Sequence, residues 1–247
     1  IPVLDASQYR AYMKDLGLTL YPSMSALTND YPFLQNAASY TGDYLFNENN
    51  NWMDEIQRTG FVTDNQLRVE GGDEIAKYNI SFGYTKNDGV LRNTSSDRYH
   101  TLISADVLAS RQIDIFTNIS LSYINSDLLN TGTASAYNPI ISAYRNMPLV
   151  SAFKKQTDGQ TLLDYARCNE WNTSSTPMYA YDNVSNPLAF VNNVEGDDKI
   201  YDANASLGIN YRITDHLTLT GLVNLYYNYT EENMFVPGVT DQAIIPQ

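Results

Sequence analysis

The chain has 247 residues, 43% hydrophobic and 17% charged, which is enough material for one sizeable domain. A net charge of −13 without any basic stripe speaks against nucleic acid, and a single cysteine, Cys168, excludes an internal disulfide. No apolar run approaches the ~18 residues of a membrane-spanning helix, an exclusion that leaves β-barrels untouched because their strands alternate.

In chain order, Asp5 caps a short helix expected to end near Gly17. A polar, aromatic loop follows through Tyr21, Tyr31 and the Asn-rich run at 47–51, and residues 52–56 make one helical turn before Gly60. A weak strand is expected over 66–70, with a glycine-rich turn at Gly71, Gly72 and Asp73. The clearest signal begins next. Tyr78, Ile80, Phe82 and Tyr84 alternate with Asn79, Ser81 and Gly83, the period of two that marks a strand with one apolar face. After a loop turning at Asn87, Asp88 and Gly89, the pattern returns at Tyr99, Thr101, Ile103, Ala105 and Val107. Beyond a brief turn at Ser110 it runs through Ile113, Ile115, Thr117, Ile119, Leu121 and Tyr123. Residues 125–199 show no sustained strand pattern and are too many for an ordinary connection. Two more strands span 201–211, with Leu207, Ile209 and Tyr211, and 217–229, with Leu219, Val223 and Leu225; they turn at Thr214, Asp215 and His216.

Connections thus alternate long and short, as in an up-and-down barrel. Thirty strand positions fall in the apolar register and none is charged, whereas Arg68, Glu70, Lys77, Asp106, Asp114, Asp202 and Arg212 fall in the other. Tyr84, Tyr99, Tyr123, Tyr201, Tyr227 and Tyr229 share one end of their strands, and Tyr78 and Tyr211 the opposite end. Amphipathic rings at both ends of an apolar band are what a bilayer selects. The expected fold is therefore all-β, an antiparallel transmembrane barrel segment whose apolar register faces lipid. Leu102, Phe116, Leu222 and Tyr226 interrupt the polar register and are expected to face an internal plug. The acids concentrate elsewhere: segments 1–60, 125–199 and 230–247 carry 18 of the 28, with only 8 of the 15 bases.

Specific words carry a family resemblance. Trp52-Met53-Asp54-Glu55-Ile56, Arg58-Thr59-Gly60, Leu67-Arg68-Val69-Glu70-Gly71-Gly72, Lys77-Tyr78-Asn79-Ile80-Ser81-Phe82-Gly83-Tyr84, Asp88-Gly89 and Asp97-Arg98-Tyr99 occur in that order. Met147-Pro148-Leu149, Asp158-Gly159 and Asn186-Pro187-Leu188-Ala189 follow. The set resembles the early barrel of SusC/RagA-type TonB-dependent transporters of Bacteroidota outer membranes. The resemblance implies a barrel of about 22 strands filled by a plug, with a SusD-like surface lipoprotein and the TonB complex as partners. It also implies import of an oligosaccharide or peptide. The expected division is an outward loop with a short helix over 1–60, six barrel strands over 61–230 with the long outward loop at 125–199, and the start of another loop over 231–247. Nothing resembles the plug, the TonB-contact segment or a signal peptide, so the chain is expected to be one piece of such a barrel.

No catalytic constellation competes with this reading. His100 and His216 lie on different elements, Glu195, Asp197, Asp198 and Asp202 lack a known cation-loop spacing, and no cofactor or resident metal is expected. Trp52, Tyr137, Tyr144, Trp171, Tyr179 and Tyr181, flanked by Asn and Thr, are the candidate ligand platforms; the alternative is that they pack loops together. A soluble or surface-attached β-sheet carbohydrate-binding or adhesin module, its apolar face a core, stays open as the second function class.

Overall fold

The computed structural model describes residues 3–35, 42–129, 131, 138–166 and 186–236. The chain divides into two compact units, one of Thr59–Leu128 with Gly196–Met234 and one of Ile1–Arg58, Leu129–Glu195 and Phe235–Gln247.

The first unit is a single antiparallel sheet. Its strands are β1 (Val62–Gly72), β2 (Ala76–Asp88), β3 (Ser95–Leu108), β4 (Ile113–Asp127), β7 (Glu195–Thr214) and β8 (Leu217–Phe235), hydrogen-bonded in that order. The sheet is open: β1 and β8 are its edges. Every strand outruns the span expected from its alternation, because pairing continues past the apolar stretch into polar residues such as Lys86, Asp97, Asn125 and Lys199. Short turns link β1 to β2, β3 to β4 and β7 to β8. In the first, Gly72 takes a positive φ of 152°, and the Asp73 carboxylate accepts from the Ile75 and Ala76 amides, both at 2.8 Å. Those two bonds hold the Asp73 pKa below the usual carboxylate range, the Ala76 amide contributing most. Three glycines lie under cross-strand rings: Gly71 under Tyr78, Gly83 under His100 and Gly208 under Phe116. Any side chain at these glycines would displace the ring that covers the bare backbone.

The second unit has a core of its own. Helix α1 (Ala6–Leu20) starts at a capping box in which the Asp5 carboxylate accepts from the Gln8 amide and the Gln8 side chain accepts from the Asp5 amide. It is longer than expected. Gly17 lies inside it, and a Cβ there would meet Leu27 of helix α2 (Met24–Asp30) at 2.5 Å. Gly17 therefore serves close helix packing instead of ending the helix. The Arg10 guanidinium donates to the carbonyls of Phe33 and Phe46.

The described residues between 128 and 194 form more regular structure than their lack of periodicity implied. They hold helix α4 (Pro139–Arg145), a small hairpin of β5 (Phe153–Lys155) and β6 (Thr161–Tyr165), and helix α5 (Pro187–Asn193). Both helices begin Asn-Pro, with the asparagine side chain accepting two backbone amides and proline at the first helical position. With α3 (Trp52–Ile56), they surround a core of Phe46, Trp52, Ile56, Leu149, Val150, Phe190 and Val191, each at most 2% exposed. Asn186 is fully buried at its centre, donating to the carbonyls of Ala152 at 2.7 Å and Ala166 at 2.9 Å.

Candidate functional surfaces

Register decides which side chains share a face of the sheet. Tyr84, Tyr99, Tyr123 and Tyr201 pair in one row across β2, β3, β4 and β7. Their rings are stacked or tilted against one another at centroid separations of 5.0, 6.2 and 4.8 Å, and Tyr229 of β8 extends the line at 6.1 Å. Below this row on the same face lie Phe82 and Leu121, then Ile80, Ile103 and Ile119, then Tyr78 and Leu207, then Ile115 with Ile209, and finally Ile113 with Tyr211. Immediately above it the face turns polar at Lys86, Asp97, Asn125 and Lys199. From Tyr123 to Ile113 is ten residues of strand, about 33 Å of extended chain. At the ~40° tilt of barrel strands that is roughly 25 Å of height.

No helix or second sheet in this unit covers either face. Ile80 and Ile115 are half-buried by their neighbours within the sheet, and Leu219 is 62% exposed. Val223, Leu225 and Tyr211 are also exposed on the apolar face. On the opposite face, Ser81, Ser104, Asn118, Ser120, Asn204 and Ser206 form a polar wall of short side chains. Leu102, Phe116, Leu222 and Tyr226 stand in that wall; Leu222 and Tyr226 are exposed, and Phe116 lies over Gly208. The carboxylate group at the start of β7 is divided among partners: Asp197 takes the Lys199 ammonium at 2.6 Å, and Asp202 takes the Asn228 amide at 3.5 Å.

The second unit separates the candidate ligand platforms. Trp52 is 2% exposed and its indole nitrogen donates to the Met147 carbonyl at 2.7 Å, so its ring is core, not an open stacking surface. Ring burial answers an indole's large apolar area when a buried acceptor is within reach. Tyr144, by contrast, is 43% exposed on α4. It stands beside a cleft of about 280 Å³ lined also by Val3, Leu4, Tyr9, Asn50, Arg145 and Pro148, with Trp52 in its wall. Tyr137, Trp171, Tyr179 and Tyr181 lie outside the described residues.

No protein-family model matches the chain. It is 33% identical over 104 residues, 40% of its length, to the TonB-dependent receptor P3 of Formosa agariphila. It is 23% identical over 202 residues, 73% of its length, to the TonB-dependent receptor SusC of Bacteroides thetaiotaomicron. In sequence the chain is similar to TonB-dependent receptors of the SusC kind. It spans 10% and 20% of those two receptors. Its fold agrees. The structure of the RagAB peptide transporter superposes with a TM-score of 0.60 over 94% of the chain and 26% of the transporter chain, at 14% identity. The RagAB peptide importer in the open-open state gives a TM-score of 0.62 over 91% of the chain and 25% of that chain, at 14% identity. Against those SusC/RagA-type neighbours the open six-stranded sheet is part of a barrel wall. The cleft beside Tyr144 and the buried Asn186 were not singled out from sequence, although two Asn-Pro pairs ahead of apolar runs were a legible cap signal.

Proposed function

We propose that this chain supplies part of the wall and outward loops of an outer-membrane transporter that imports an oligomeric nutrient, glycan or peptide, with energy from the TonB complex. The observation that carries the reading is the tyrosine-topped apolar face: uncharged for ten residues of strand, bounded by charged side chains directly above, and covered by nothing in its own unit. Its height matches the ~25 Å apolar band of outer-membrane barrels.

In this reading Tyr78, Ile80, Phe82, Tyr84, Ile113, Ile115, Ile119, Leu121, Tyr123, Leu207, Ile209, Tyr211, Leu219, Val223 and Leu225 contact lipid. Leu102, Phe116, Leu222 and Tyr226 touch a plug across the polar wall, and a SusD-like lipoprotein meets the outward loops. The protein performs no covalent chemistry; it supplies a shaped wall and gripping loops. The likeness to SusC, a TonB-dependent receptor, and to the RagAB structures, titled a peptide transporter and a peptide importer, supports this reading.

The test is solubility. The purified chain is expected to stay monodisperse in detergent and to aggregate when detergent is removed, because apolar surface of this size is not tolerated in water. A chain that remains monomeric and folded in plain buffer would favour the soluble binding module instead.

A further inference from the structure

We propose that the tyrosine row is a site of oxidative modification, at which one-electron oxidation joins Tyr84 to Tyr99 as dityrosine and so ties β2 covalently to β3. This goes beyond transport and does not depend on it. Tyr84 and Tyr99 stand directly opposite one another in the β2–β3 ladder, and their rings lie against each other at 5.0 Å between centroids, tilted by 32°. Directly opposed residues keep their Cβ atoms about 4.5–5.5 Å apart, so two radicals formed there meet without any movement of the strands. Tyr99 is 49% exposed, which lets a small oxidant reach its ring.

Contact alone does not make a phenol easy to oxidise. A phenol that has lost an electron is a very strong acid, and the loss is eased when a base takes the proton at the same moment. The Tyr84 hydroxyl already donates to the Asp97 carboxylate at 2.8 Å, from the next pair above it on the same face. Tyr84 is therefore the ring that reacts first: its electron goes to the oxidant and its phenolic proton to Asp97. Tyr99 loses its electron to a second equivalent of oxidant and its proton to water. The two radicals then form a bond between ring carbons ortho to oxygen. The hydrogens on those carbons move to the two oxygens and restore both phenols. Two oxidant molecules are each reduced by one electron, and two protons are released. Tyr123 and Tyr201, also opposite one another with centroids at 4.8 Å, can couple in the same way between β4 and β7, and they serve as the internal standard.

The test uses the chain in detergent, illuminated with tris(bipyridyl)ruthenium(II) and a cobalt(III) ammine as electron acceptor, which together generate the one-electron oxidant ruthenium(III). Trypsin cuts after Lys86, Arg98 and Lys199 and so parts each tyrosine from its partner, and mass spectrometry of joined peptides then reports each pair separately. Tyr84–Tyr99 is expected to be the most abundant link, with Tyr123–Tyr201 second, and denaturant should abolish both. Asp97→Asn keeps a hydrogen-bonding group but not the base; it should lower Tyr84–Tyr99 about tenfold relative to Tyr123–Tyr201, and Asp97→Glu should restore part of the loss. Tyr84→Phe should remove the first link and spare the second. An unaltered chain in which another pair leads, or a Tyr84–Tyr99 link that Asp97→Asn does not lower relative to Tyr123–Tyr201, would overturn the proposal. The first of these outcomes needs no variant to fold.

Discussion

The two units dispose of their apolar side chains in opposite ways. In the loop-and-helix unit, Phe46, Trp52, Leu149, Val150 and Phe190 converge from distant stretches of chain and seal one another completely. In the sheet, Leu219, Val223, Leu225 and Phe82 are at least half exposed, although they belong to the most regular structure in the molecule. Regular hydrogen bonding and closed packing are thus separate achievements. The ladder satisfies backbone groups whatever lies beyond the side chains, whereas the loops had to bury theirs among themselves. Nothing in the sheet's own unit covers its apolar face, and a row of tyrosines borders it.

Perturbations should therefore act on one unit and spare the other. The largest effect is expected from Trp52→Ala, which empties a buried ring site and orphans the Met147 carbonyl. It should cost the loop-and-helix unit about 4 kcal/mol. Hydrogen exchange should show lost protection at Leu149 and Phe190, with unchanged protection in β2 to β4.

Next comes a charge on the sheet. Ile119→Arg, in mid-band, should destabilise the lipid-reconstituted chain by about 2–4 kcal/mol, whereas Ser120→Arg on the opposite face should cost under about 1 kcal/mol. Equal losses at the two neighbouring positions, measured by denaturant titration in liposomes, would erase the distinction between the faces.

Asn186→Asp keeps the shape and the cap acceptors but removes the donors to Ala152 and Ala166. A loss of about 2 kcal/mol is expected, confined to the loop-and-helix unit. Full stability in this variant at neutral pH would show that the two carbonyl bonds contribute little.

The comparison also explains what was legible in the sequence. The strands announced themselves because an apolar face must repeat every second residue, and the alternation put six tyrosines at one end of their strands, four of which the register pairs in one row. Strand ends were invisible: Lys86, Asp97 and Lys199 pair in the ladder but lie above the band, where nothing selects apolar residues. The loop core was hidden for another reason. Its helices of five to seven residues are too short for a helical period, and its partners lie far apart, as Trp52 and Met147 do. Trp52 allowed two readings because a ligand platform and a core ring are the same residue type, and burial puts its ring in the core.

The smallest predicted effect is a pH dependence. Asp5 at the α1 cap and Asp73 in the β1–β2 turn both have carboxyl pKa values held down by backbone amides that donate to them. A depressed folded value means that their stabilisation is complete above the ordinary carboxylate range and disappears as pH falls through the lowered value. Asp73→Asn should remove the sheet turn's share of that acid sensitivity and leave the α1 share in place, read as amide exchange at Ala76 and Gln8.

The central claim, that hydrocarbon covers the apolar face, is tested most directly at two adjacent residues that point to opposite faces. In a Cys168→Ser background, Ile115→Cys and Phe116→Cys would each be labelled with a small fluorophore and reconstituted in liposomes containing acyl-chain-brominated lipid. Strong quenching at position 115 with little at 116 is the result this account predicts. Equal quenching at both positions, or none at 115, would contradict it.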